Sequence, residues 1–578
     1  MTQAAANHNW NILKSHNLNL ETALEAEQKS QLKYGSEFRS SDTLSQIFRN
    51  HPLWPRLSSQ LDKGANSPLE DLDFESRQQD LQEALEFGNH KGADENPDLF
   101  EKMMKDDVTN GYSLVIPREH VTKLKGAQIS PMNITDQSGI NERGEIISKK
   151  RLTHNQSMEY SSGTSLNSRT KKDELQDVMY GTCLLRVIHQ IIEYRRRHPY
   201  KRILIQKIDF KAAYHWTHLH PSTAIQTITQ LISMGLCYIS LRLTFGGAPN
   251  PNIWSEVSES ATDLANAILQ CRDWNPASLH SPLQKQVPPV AEQTKIIPFA
   301  QALPMAVEIN SNDRGQVDCY IDDLTTVTID INDNKERAAA AVLLAIHTVG
   351  RPTNKDDPIP RLNLVSLSKL TAEAALEETK ILLGWKLDTR TLLISLPSDK
   401  HVAWSASITN ILNKGTTFFD ELESLIGRLG HVTLILPYAK HFMSRIRTLL
   451  YQAKHKRRVK IPTEVREDLL FHLKILDLAN KGMSMNLLTY RQVDTLYRSD
   501  ACPAGLGGYS NKGRAWRFYI PLELQLRATL NMLEHLASII GPWIDVIENN
   551  MPAFSCLLSM TDSTTTQGWL KKIKLQRE

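Results

Sequence analysis

Two adjacent carboxylates, Asp322 and Asp323, sit between the apolar run Cys319-Tyr320-Ile321 and the β-branched run Leu324-Thr325-Thr326-Val327-Thr328. That pattern predicts strand, tight turn, strand, with both acids at the tip. Acids aimed the same way repel, and magnesium, a divalent cation that takes hard oxygen ligands, is the natural compensation. Taken alone, the pair also fits an ordinary Asp-Asp turn. A third acid, Asp209, ends another apolar strand, Arg202-Ile203-Leu204-Ile205-Gln206-Lys207-Ile208. Two strands that deliver carboxylates to one edge could hold two metal ions about 3.5–4 Å apart, the arrangement that supports in-line phosphoryl or nucleotidyl transfer.

The order of the surrounding residues sharpens this chemistry. Asp209-x-x-x-Ala213-Tyr214, then Leu243-x-Phe245-Gly246 with Pro251 beyond, then Tyr320-x-Asp322-Asp323, resemble the A, B and C motifs of a reverse transcriptase palm. Downstream, Lys380-Ile381-Leu382-Leu383-Gly384-Trp385 is similar to the segment that enters the primer-grip hairpin of that family. The resemblance runs from about Gly111 to the C-terminus. Its flavour is that of retrotransposon polymerases, in the group that integrates with a tyrosine recombinase. It implies an α+β right-hand polymerase fold, with fingers, palm and thumb, followed by an incomplete ribonuclease H-like α/β segment.

Several roles come with the resemblance. Asp209, Asp322 and Asp323 would be the catalytic and metal-binding acids, Asp209 and Asp322 on both of two Mg2+ ions and Asp323 in support. The backbone carbonyl of Phe210 would be an extra ligand. Lys150 and Arg151, in Lys149-Lys150-Arg151, would grip the incoming deoxynucleoside triphosphate, although Asn155 stands where the family usually carries an Asp. A solvated Lys-Arg face is the other reading of this run. Phe245 and Gly246 would floor the nucleotide. Tyr214 follows Asp209 by five residues. Viral RNA-copying enzymes typically place there an acid that holds the ribose 2′-hydroxyl, so an aromatic ring favours deoxynucleotides. The partners implied are an RNA template, a DNA primer and their hybrid. A decayed, element-derived nucleic-acid-binding protein is the alternative.

A chain of 578 residues exceeds one core. Residues 1–108 are polar and helical in pattern, an extension with no legible chemistry. Residues 109–397 cover the expected fingers and palm, with an insertion at about 271–303, and 398–460 the thumb. A connector at 461–490 precedes the ribonuclease H-like segment, 491–578. Helices are expected at Asp173–Arg197, Thr223–Met234, Ala338–Val349, Phe418–Gly430, Val432–Tyr451 and Glu464–Lys481. A hairpin is expected over Lys380–Pro397, turning at Asp388-Thr389-Arg390. The run Lys454-His455-Lys456-Arg457-Arg458 would track nucleic-acid phosphates, its cations being Lys454, Lys456, Arg457 and Arg458.

In the last segment Asp500, Glu534 and Asp562 resemble the ribonuclease H acids. The family's fourth acid has no counterpart before the terminal Glu578, so little ribonuclease H activity is expected, and the sequence reads as part of a longer element protein. Net charge is only +3, with the basic residues clustered. No apolar run approaches the ~18 residues that span a bilayer, which together with the lack of a leader-like start points to an intracellular protein. The six scattered cysteines point to buried, reduced thiols. His215, His218 and His220 invite a zinc reading but lack a fourth ligand nearby.

Overall fold

The structure, a computed structural model, describes residues 2–26, 37–140, 146–292, 297–309, 312–352, 363–454, 456, 458–552 and 555–572. Helix and sheet are mixed throughout. The chain divides into two compact units, one of Met1–Arg186, Leu204–Thr294 and Asn312–Glu377, the other of Val187–Ile203, Lys295–Ser311 and Glu378–Glu578.

The first unit opens with helices α1 (Gln3–Ser15), α2 (Leu20–Ala26), α3 (Ser41–Phe48), α4 (Trp54–Lys63), α5 (Phe74–Phe87), α6 (Lys91–Asp94) and α7 (Pro97–Thr109). Local chemistry sets their starts: the Thr2, Ser40 and Asp73 side chains accept from the first free N–H groups of α1, α3 and α5. There follow β1 (Ser113–Pro117), β2 (Met132–Ile140), β3 (Ile146–His154), α8 (Cys183–Arg197), whose residues from Val187 on belong to the second unit, β4 (Ile203–Asp209), α9 (Pro221–Ala224), β5 (Ile228–Leu231), β6 (Leu236–Ser240), α10 (Asn250–Gln270), β7 (Gln316–Tyr320), β8 (Asp323–Ile329), α11 (Asn334–Val349) and α12 (Leu367–Glu373).

Three sheets result: β1-β6-β5, the long hairpin β2-β3, and β4-β8-β7. The last carries the acids. Leu204 and Ile208 of β4 join Trp254, Val257, Ala261 and Ala265 of α10, and Ala338, Ala341 and Ala345 of α11, in one buried cluster. Strand alternation puts Lys207 and Asp209 on the face opposite Leu204 and Ile208.

In the second unit β9 (Thr379–Leu382), β10 (Trp385–Asp388) and β11 (Leu393–Ser395) lead into α13 (Ser398–Lys414), β12 (Thr416–Thr417), α14 (Phe419–Val432), α15 (Ser444–Ala453), β13 (Val459–Lys460), α16 (Thr463–Lys481) and β14 (Met483–Ser484). Then come β15 (Thr495–Cys502), β16 (Gly505–Ser510), β17 (Ala515–Tyr519), α17 (Leu522–Gln525), α18 (Leu530–Ile547), β18 (Leu557–Met560) and α19 (Thr564–Lys572). The final sheet has the order β17-β16-β15-β18, with β18 parallel to β15.

Several local expectations are corrected. Thr223–Met234 is not a helix: Ile228 to Leu231 pair antiparallel with β6. Its β-branched residues are buried on both faces, which erases the alternation a half-exposed strand would show. The expected helix over Asp173–Arg197 begins only at Cys183, after two 3-10 turns. Pro437 ends any helix through 432–451, opening a 3-10 turn before α15. Residues 380–397 form three strands rather than two. The first turn is Leu383-Gly384, both at positive φ, as a two-residue hairpin turn requires. All six cysteines are free, but Cys271 and Cys502 are exposed, so burial holds only for Cys183, Cys237 and Cys319. Among the described residues no helix is long and apolar enough to cross a membrane.

Candidate active site

The β7–β8 hairpin turns in two residues. Tyr320 pairs with Asp323, leaving Ile321 and Asp322 at the tip. Ile321 takes φ 57°, a left-handed backbone that a β-branched side chain rarely adopts. Such a residue costs about 1–3 kcal/mol and persists only where its surroundings impose it. Here the Trp254 indole donates to the Ile321 carbonyl at 2.9 Å, and the Phe210 N–H donates to the Asp322 carbonyl at 3.0 Å. The second bond knits the end of β4 to the turn. Just past it, Ala212 also takes a positive φ, 51°.

These constraints bring Asp323 against Asp209, with Asp322 near enough to act on both through its charge, although the three do not place ligand atoms all within 4.8 Å of one another, and two lysines come with them. Lys207 Nζ lies 3.4 Å from Asp209, 3.2 Å from Asp323 and 3.4 Å from Glu373 at the end of α12. Lys369, one turn earlier on α12, reaches the other oxygen of Asp209. Burial and the adjoining Asp209 push the Asp323 carboxyl up to about 8. Burial acts on Asp209 in the same direction, but the hydrogen bond with Asp323 and the two ammonium groups outweigh it and hold Asp209 below its ordinary range. Asp322 is raised, by burial first and by Asp209 second. Burial opposes the charge on Lys207, yet Asp209, Asp323 and Glu373 together raise its pKa well above the ordinary value.

Lys369 also lines a cleft of about 460 Å³, with Lys149, Lys150, Arg151, Phe245 and Asp107 among its walls. The Arg151 guanidinium stacks 4.5 Å over the Phe245 ring, and the Tyr214 ring lies 5.1 Å from Phe245. Lys150 is tied at 3.2 Å to Asp136, its cross-strand neighbour, so an acid from β2 supplies the local pairing that Asn155 does not. Burial, then Asp106, pushes Asp107 up to about 7. The Phe210 side chain is elsewhere, packed in the core against Trp216 and Trp254, which leaves only its backbone for the site. Gly246 takes φ 128°, and a Cβ there would sit 1.9 Å from the His154 carbonyl oxygen. His154 in turn donates its N–H to the Phe245 carbonyl.

Sequence patterns singled out neither Lys207, Lys369, Glu373 nor Asp107. Lys207 was legible, two residues before Asp209 and so on the same strand face. Lys369 and Glu373 sit on a seven-residue helix outside any motif, and only the folded chain shows that they arrive. The three histidines do not converge: His220 caps α9, His218 faces Glu37, and His215 packs on Tyr112.

A second acidic cluster lies in the other unit. Asp500 of β15, Glu534 of α18 and Asp562, just past β18, place ligand atoms all within 4.8 Å of one another, the only such set among the described residues. Glu534 accepts from the Ala501 N–H with one oxygen, while the other is buried without a partner. Its pKa is raised, chiefly by burial. In the basic run, Lys454 ends α15, and Arg458 donates to the Thr416 hydroxyl at 2.8 Å beside the Phe418 ring. Lys456 is exposed, and Arg457 lies outside the described residues.

No protein-family profile and no curated protein matches the chain. Among solved structures it is similar to a foamy viral protease-reverse transcriptase in complex with an RNA/DNA hybrid, at 13% identity and a TM-score of 0.43, covering 94% of this chain and 62% of that one. The dRH form of that protein with double-stranded DNA matches at 13% identity and 0.38, covering 94% and 81%. Native prototype foamy virus protease-reverse transcriptase matches at 14% and 0.28, covering 89% and 52%. The chain thus spans about three fifths of the first of these proteins.

Proposed function

We propose that this chain is a metal-dependent nucleotidyltransferase. Within that class, the motifs and the site together favour an RNA-directed DNA polymerase of a retrotransposable element, of the tyrosine-recombinase group. The observation that carries the proposal is the convergence of Asp209, Asp322 and Asp323 beside a cation-lined cleft, joined through Lys369, which touches Asp209 and lines that cleft. The donor set fits magnesium: hard carboxylate oxygens, of which both on Asp209 are buried without a hydrogen bond of ordinary geometry. Asp209 and Asp322 would hold the ions, with the Phe210 carbonyl beside them.

Bound there, two ions would supply a lowered pKa at the primer 3′-hydroxyl and charge neutralisation on the leaving pyrophosphate. The protein's own part is positioning and electrostatics. Lys149, Lys150, Arg151 and Lys369 neutralise the triphosphate. Phe245, stiffened by the stacked Arg151, supports the nucleotide, and Tyr214 beside it crowds a ribose 2′-hydroxyl. On this proposal β9–β10 grips the primer, and Lys454, Lys456, Arg457 and Arg458 follow the duplex phosphates.

Primer extension on a homopolymer RNA template with magnesium and deoxynucleotides tests the proposal. Extension by the wild type and none by Asp322→Asn supports it. Hybrid binding without extension favours a non-catalytic, element-derived binding protein. The C-terminal cluster favours a second metal site, with hydrolysis of hybrid RNA weak because the described residues gather only three acids there.

A further inference from the structure

Lys207 does something that the nucleotidyltransferase proposal does not require. It is a lysine with only 14% of its side chain exposed, held within 3.4 Å of carboxylates from three elements: Asp209 of β4, Asp323 of β8 and Glu373 of α12. Lys369 differs, since 38% of its side chain is exposed, it also lines the cleft, and it is free to swing onto an incoming phosphate. Lys207 cannot leave in that way. Its stem is built into the middle of β4, the edge strand of the three-stranded sheet, and Glu373 of α12 holds its head. The chain on either side of α12 is itself fastened along β4, through the Ile205–Glu377 and Phe210–Val365 bridges and the Gln206 amide on the Ala374 carbonyl at 2.9 Å.

We propose that Lys207 is a resident counter-ion and positioning residue, which fixes Asp209 against Asp323 and limits the nucleotide-free site to one divalent cation. The proposal rests on the assignment of Asp209 and Asp322 as metal ligands. Four acids (Asp209, Asp322, Asp323 and Glu373) against two ammonium groups (Lys207 and Lys369) leave two formal negative charges, which one divalent ion balances. A second ion then has no unbalanced charge to bind until a triphosphate brings its own. Removing an ammonium group 3.4 Å from a ligand should therefore tighten metal binding by about tenfold or more, even at the damped effective dielectric of a protein.

The test is Mn2+ alone, titrated into the full chain without nucleic acid or nucleotide and followed by electron paramagnetic resonance. Asp500→Asn in every sample silences the C-terminal cluster. One equivalent of Mn2+ is expected in this background, lost in Asp209→Asn. Lys207→Met should take up a second equivalent or bind the first about tenfold more tightly, and Lys207→Arg should restore the parent behaviour. Glu373→Gln, which removes one of the four negative charges and leaves the lysine head to Asp209 and Asp323 alone without touching the sheet, should instead weaken binding several-fold, and it decides the matter if Lys207→Met does not fold. Unchanged stoichiometry and affinity in whichever of the two variants keeps the parent circular dichroism overturns the proposal. Chain that binds Mn2+ as described yet extends no primer overturns the polymerase assignment instead, and leaves the role of Lys207 standing.

Discussion

At the scale of single residues, the acids are aimed by backbone that is costly to form. Asp322→Asn should lower primer extension by at least about a hundredfold while leaving the melting temperature unchanged or slightly raised, because on the proposed function it removes a metal ligand and one repulsion rather than core packing. Extension near the wild-type rate would rule Asp322 out as a ligand. Tyr214→Ala or Tyr214→Val should raise incorporation of ribonucleotides relative to deoxynucleotides by roughly tenfold or more, since on the proposed function the ring packed on Phe245 is the bulk that would meet the sugar. An unchanged ratio in an active variant would remove the steric role. The acids and the aromatic were legible because each lies at a fixed distance within a short motif. Lys369 and Glu373 were not, since what gathers them is the course of residues 363–377 along β4, a tertiary fact without a local signal.

Among elements, legibility followed local pattern. Strand β7 alternates between buried and half-exposed residues and the acids mark the turn, so the β7–β8 hairpin was placed correctly although β8 is buried on both faces. Strand β5 is buried on both faces and was mistaken for a helix. Helix α10 offers a test of how an element carries a charge. Its Glu256 is 8% exposed, with Arg56 at 3.9 Å, and burial pushes its carboxyl up to about 7. Because the folded value lies above the unfolded one, folding binds a proton between them. Stability from this group therefore falls as pH rises from about 4.5 to about 7, and the deficit persists above that. Glu256→Gln should stabilise the protein by about 1–3 kcal/mol at pH 8 and leave it nearly unchanged at pH 4, as thermal melts at the two pH values would show. Equal effects at both would mean that Glu256 is paired when folded.

For the whole molecule, a net charge of +3 says little about a polyanionic partner, and local clustering matters more. Replacing Lys454, Lys456 and Arg458 together with Gln should weaken binding to hybrids of any sequence and flatten the slope of log affinity against log salt by roughly one unit per lost phosphate contact. An unaltered slope would make these residues a plain solvated surface. Incubation with a labelled RNA–DNA hybrid and magnesium should give little RNA cleavage. Robust cleavage abolished by Asp500→Asn would show that Asp500, Glu534 and Asp562 suffice. The doubly charged sheet end and the order of its motifs were readable from sequence at this scale. The boundary near residue 378 was not, because it falls in the short stretch between α12 and β9, with no Gly- or Pro-rich linker to mark it.

The abutment of Gly246 on the His154 carbonyl has a mechanical consequence. His154 is the last residue of β3, and the same strand carries Arg151 three residues earlier, stacked on the Phe245 ring. With backbone pressed on backbone at one end and a guanidinium stacked on a ring at the other, β3 and the Phe245 side of the cleft are tied to each other at two points. On the proposed function, a triphosphate that drew Arg151 inward would pull the ring with it, so that gripping the phosphates and seating the base would become one stroke. A bulkier residue at 246 would wedge the backbone contact open, and the two motions would fall out of step.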